Sequence, residues 1–147
     1  MNTLDRNGIT LAYQEAGSGI SPVLLVHGFA CDHTFLLPQL RFLGHRRRTI
    51  AVDLRGHGAS DAPKQDYTMA GFADDLAWIS AQLNLERPIV VGHSMGGNIA
   101  LELAARYPGS VLHGYFCQPI ARGSNLRCLR ALRKRHSMCS HRAFRTM

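Results

Sequence analysis

The 147 residues make about one domain by length, and a hydrophobic share of 46% suffices for a packed core. No apolar run approaches the roughly 20 residues of a membrane span, and Met1-Asn2-Thr3-Leu4-Asp5-Arg6 lacks the basic-then-apolar layout of a signal peptide, so a soluble, cytoplasmic protein is expected. Of the formal charge of +7, residues 1–112 contribute −1 (nine Lys/Arg, ten Asp/Glu) and residues 113–147 contribute +8 (eight Lys/Arg, no acid), which excludes the body of the chain as a polyanion binder.

Asn7-Gly8, flanked by short β-type runs, predicts an opening two-residue hairpin, because both residues tolerate positive φ. Residues 22–26 read as a buried strand ending in His27-Gly28-Phe29, after which Asp32 caps a helix that holds Phe35, Leu36, Leu40 and Leu43 on one side. Arg46-Arg47-Arg48 reads as a solvated turn ahead of the strand at residues 49–52, which runs into the glycine-studded Asp53-Leu54-Arg55-Gly56-His57-Gly58-Ala59-Ser60-Asp61. Thr68 starts a helix with Met69, Phe72, Leu76, Ile79 and Leu83 inward and Asp74, Asp75 and Gln82 on the polar side.

The apolar run at residues 88–91 then breaks into Gly92-His93-Ser94-Met95-Gly96-Gly97 and a further helix through Ile99, Ala100, Leu103 and Ala104. Strand, tight turn and helix around G-x-S-x-G describe a nucleophile elbow: the flanking glycines relieve crowding, and the turn lifts the Ser94 hydroxyl to the start of a helix whose free N–H groups stabilise a developing oxyanion. The competing reading is a glycine-rich turn with a capping serine. His93 reads as packing, since neighbouring extended side chains diverge. Alternating strands and helices predict a doubly wound α/β domain with a mainly parallel sheet and an N-terminal antiparallel hairpin, its sites at the carboxyl ends of the strands.

With His27-Gly28, Asp53-Leu54-Arg55-Gly56-His57-Gly58-Ala59-Ser60 and Gly92-His93-Ser94-Met95-Gly96-Gly97 in this order, the chain resembles the N-terminal portion of the α/β-hydrolase superfamily, over residues 3 to about 112. The likeness is to its esterases, lactonases and cofactor-free haloperoxidases. That resemblance implies Ser94 as nucleophile, the backbone N–H groups of Phe29 and Met95 as oxyanion hole, Asp53, Arg55 and His57 as loop-bracing residues, an ester or lactone substrate, and no cofactor. No metal-ligand pattern is present.

A serine nucleophile needs a histidine to take its proton and a carboxylate to orient that histidine, and the family places both after the serine. After Glu102 the chain has no Asp or Glu; of the histidines that follow, His113 falls where a strand is expected, and His136 and His141 lie among arginines. No triad acid is found and the base is unknown. Residues 113–147 are expected to form a disordered basic tail or the product of a reading-frame change near residues 110–113, and the leucines at 126, 129 and 132 also allow a basic amphipathic helix. Cys31, Cys117, Cys128 and Cys139 read as free thiols. The alternatives to a serine hydrolase are a non-catalytic module binding nucleic acid or acidic lipid through residues 122–145, and a haloperoxidase or perhydrolase on the same serine. Self-association through an uncovered sheet edge is also expected.

Overall fold

The computed structural model describes residues 1–111, 113–118 and 127–131. Asn7 and Gly8 take φ of 57° and 79°, which closes β1 (Asn2–Asp5) onto β2 (Thr10–Ala16) with reciprocal bonds between Arg6 and Ile9. Two runs of four apolar or β-branched residues, too short for helices, form β3 (Val23–Val26) and β4 (Thr49–Val52), buried at every position. β5 (Ile89–His93) and β6 (His113–Gln118) follow, and β7 (Arg127–Ala131) ends a seven-stranded sheet of order β1-β2-β4-β3-β5-β6-β7. β4, β3, β5 and β6 run parallel; β1 and β2 on one side and β7 on the other are antiparallel.

Strand alternation divides the core between the two faces. Leu24, Val26, Ile50, Val52 and Val90 meet Phe72, Leu76 and Ile79 of α2 (Met69–Gln82) and Ile99 and Leu103 of α3 (Met95–Arg106). Val23, Leu25 and Ala51 meet Leu36 and Leu40, the latter on α1 (Leu37–Gly44). Helices on both faces of a mainly parallel sheet make the doubly wound arrangement, with the antiparallel hairpin at its start.

Three expectations are corrected. The helix capped by Asp32 is two pieces, because Pro38 in the first turn of α1 has no N–H to donate; residues His33–Leu36 form a 3-10 turn in which Leu37 N–H bonds Thr34 O, and Phe35 is left half-exposed. Asp75 is not on a solvated face but is only 2% exposed, because Arg6 and Arg55 neutralise it from both sides. The sheet continues past residue 112. Residues 127–131 extend as a strand instead of coiling into a basic helix, because the open edge of β6 presents backbone donors and acceptors, and β7 satisfies them from Gly114↔Ala131 to Gln118↔Arg127. The rest of the basic stretch, with His136, His141 and Cys139, lies outside the described residues.

Candidate active site

The turn between β5 and α3 is dictated by crowding. A Cβ on Gly92 would run into the Gly96 carbonyl and the Gly97 nitrogen, and one on Gly96 into the carbonyl oxygens of Val26 and His27. Ser94, held between them, adopts φ 52° and ψ −116°, a conformation that suits glycine and costs a larger residue about 1–3 kcal/mol. The Ser94 carbonyl accepts from Gly97 N–H at 2.9 Å, but its hydroxyl makes no capping bond to the helix it precedes. The hydroxyl is thus left free at the positive end of α3, where the first N–H groups have no intrahelical acceptor.

Opposite the elbow stands the segment after β3. Gly28 packs so closely that a Cβ there would sit 3.3 Å from Ser94 Cβ and 3.0 Å from His93 Nδ1. The next residue, Phe29, has an exposed ring and an N–H with no protein acceptor among the described residues. His27 is fully buried: its Nδ1 donates to Gly28 O at 2.7 Å, and its Nε2 accepts from Leu54 N–H at 3.0 Å. Burial holds this imidazole below the ordinary histidine range.

The loop after β4 is braced at several points. The Asp53 carboxylate, fully buried, accepts from His33 N–H at 2.6 Å, from His33 Nδ1 at 3.0 Å and from Ala59 N–H at 2.9 Å. Gly58, at φ 55°, lies against that carboxylate so closely that any Cβ would overlap it. Ser60 Oγ donates to Asp53 O and accepts from Ala12 N–H, which ties the loop to β2. Arg55 grips Asp75 of α2 through Nε at 2.9 Å and Nη2 at 2.5 Å, and the carboxylate holds its guanidinium charge still more firmly than usual. Gly56 (φ 78°) lets the Tyr67 ring lie directly on the backbone. Asp53, Arg55 and Gly56 therefore bond or pack inside the loop and its supports.

The structure brings Ser94, Met95, Gly28, Phe29 and His93 to the carboxyl ends of β3 and β5. His93 is half-buried, with its ring 4.7 Å from Phe35 and its Nδ1 without a partner among the described residues; burial lowers its pKa. His57 donates Nδ1–H to Arg55 O and packs at 6.2 Å from the Phe29 ring. His113 is not brought to the site: it pairs with Ile89, at the far end of β5, about 13 Å of strand from His93 at ~3.3 Å per residue. His136 and His141 lie outside the described residues. The His33–Asp53 pair was missed in the sequence, where Asp32 reads as a cap and nothing local signals that His33 turns toward a residue 20 positions on. Among the described residues no cluster of three metal-ligating side chains occurs, and no helix is long and apolar enough to cross a membrane. Two clefts of about 250 and 400 Å³ are lined by neither Ser94, Phe29 nor Met95.

The sequence profile of the alpha/beta hydrolase fold matches residues 21–130. The 2-(acetamidomethylene)succinate hydrolase of Mesorhizobium japonicum is 40% identical over 109 residues, which are 74% of this chain and 38% of that protein. A thermophilic esterase from Thermogutta terrifontis superposes with a TM-score of 0.72 at 37% identity, covering 83% of this chain and 46% of the esterase. The N-acyl homoserine lactonase AidH, complexed with N-butanoyl homoserine, superposes with a TM-score of 0.68 at 35% identity, covering 74% and 41%. The chain spans less than half the length of each of these relatives.

Proposed function

Because the chain belongs to the α/β-hydrolase family, we propose that it carries the nucleophile half of a serine hydrolase acting on carboxylic esters or lactones, with Ser94 as the attacking residue. The observation that carries this reading is the backbone of Ser94: a non-glycine residue held at φ 52° and ψ −116°, its hydroxyl making no cap bond, directly against Gly28. Attack of Oγ on an ester carbonyl places negative charge on the carbonyl oxygen, and the N–H groups of Phe29 and Met95 are the donors that would receive it. The alcohol then leaves with a proton, and water hydrolyses the acyl-Ser94. The esterase and the lactonase among the structural neighbours support this substrate class, and no step calls for a cofactor.

The proton on Oγ needs a base. His27 and His33 both spend a ring nitrogen inside the loops, His113 lies at the wrong end of β5, and no Asp or Glu follows Glu102. Without base and acid, an oxyanion hole and binding alone leave about 10³-fold over water, whereas losing the base removes about 10⁶ from an intact triad. Hydrolysis of p-nitrophenyl acetate by this chain is therefore expected to be slow and abolished by Ser94→Ala. A rate that persists in Ser94→Ala overturns the proposal; a fast rate lost in Ser94→Ala places a working base in the chain, with His57 and His93 the residues to substitute.

A further inference from the structure

We infer that His27 is a positioning residue which aims the Phe29 N–H into the site by fixing the Gly28–Phe29 peptide, an inference that rests on the proposed oxyanion role of Phe29. A carbonyl oxygen only accepts, so the 2.7 Å contact between His27 Nδ1 and Gly28 O requires a proton on Nδ1. A backbone N–H only donates, so the 3.0 Å contact from Leu54 requires a bare Nε2. Together the two contacts admit one protonation state, the neutral Nδ1–H tautomer.

The consequence for Phe29 follows from peptide geometry. The described chain has no cis peptide, and in a planar trans unit the carbonyl of one residue and the N–H of the next point in opposite directions. Gly28 O is held on the loop side by His27 Nδ1–H and by Cys31 N–H at 3.3 Å. The Phe29 N–H is thereby turned the other way, and Gly28 itself lies against Ser94. Gly28 has no side chain to resist rotation of this peptide, so the hydrogen bond from His27 does what a Cβ would otherwise do. Leu54 completes the link: the loop braced by Asp53 holds the imidazole that holds the oxyanion donor. Burial keeps the ring neutral, which the lock requires.

The test uses the full chain labelled with ¹⁵N. A scalar coupling across Leu54 N–H···Nε2 of His27, with the proton on Nδ1, is expected, and residual dipolar couplings should give one Phe29 N–H direction that changes in His27→Leu and is restored in His27→Asn, whose amide nitrogen takes the place of Nδ1. In parallel, phosphonylation of the chain by a fluorophosphonate at about pH 9, where hydroxide supplies the base, should slow at least about tenfold in His27→Leu and recover in His27→Asn, in keeping with the loss of one oxyanion donor. A proton on Nε2, or equal rates and an unchanged Phe29 direction in all three proteins, overturns the inference. Labelling that persists in Ser94→Ala instead defeats the nucleophile reading, and the couplings then still decide whether His27 sets the peptide. If His27→Leu does not fold, the unsubstituted chain and His27→Asn decide it.

Discussion

Ser94 stores strain where a hydrolase would use it. At most positions alanine is better than glycine, because glycine loses about 0.5–1 kcal/mol more backbone entropy on folding. At φ 52° and ψ −116° the order reverses, since the Cβ cost of about 1–3 kcal/mol outweighs that entropy. Ser94→Gly is therefore expected to be more stable than Ser94→Ala by about 1 kcal/mol in urea unfolding, and the opposite order would mean the turn is unstrained. Titration gives a second outcome at this scale. His27 and His93 are both held below the ordinary histidine range by burial, so as pH falls the unfolded chain binds protons first. Stability is fully present above about pH 6.5 and is lost as pH falls through the folded-state values. The urea midpoint should drop between about pH 7.5 and pH 5, and His93→Phe should flatten that drop; an unchanged slope would remove His93 from the account. Ser94, Gly92, Gly96 and the His27-Gly28 pair were legible in the sequence because their chemistry is local: a strand, a turn too tight for side chains, a helix. The partners of His27 and Asp53 were not, since Leu54 and His33 reach them only through the sheet.

Among the elements, the β1–β2 hairpin is tied to α2 through one buried carboxylate. Asp75 accepts from Arg6 in the hairpin turn and from Arg55 in the loop after β4, and the Arg6 guanidinium also lies 5.8 Å from the Trp78 ring. Removing Asp75 leaves two partly buried guanidiniums facing one another, so Asp75→Ala should cost on the order of 3–5 kcal/mol. Arg6→Ala should cost less, about 1–2 kcal/mol, because Arg55 keeps its bidentate grip. A double-mutant cycle read by chemical denaturation tests this, and equal costs for the two substitutions would contradict it. Helical periodicity alone put Asp75 on the polar side of α2, and the cations that make its burial tolerable come from residues 69 and 20 positions away. Helix period, strand alternation and the Asn7-Gly8 turn otherwise located the elements. The break at Pro38 is physically explicable from the sequence, but the inward apolar stripe masked it.

For the molecule as a whole, sheet order is what converts scattered motifs into one site. Placing β3 between β4 and β5 sets His27-Gly28-Phe29 beside the elbow, and the parallel pairing of β5 with β6 carries His113 to the opposite end. Family-like motif order made that arrangement readable in advance, whereas β7 was not readable, because a leucine every third residue suggested a helix and the pairing depends on the neighbouring edge. What the chain contributes is a strained serine, two backbone donors and the loops that hold them, and the central claim is that this serine is the nucleophile. The most direct test is exhaustive reaction of the full chain with a fluorophosphonate, followed by intact-mass and peptide mass analysis. The account predicts a single adduct on the peptide bearing Ser94, absent in Ser94→Ala; an adduct on another residue, or one that survives in Ser94→Ala, would contradict it.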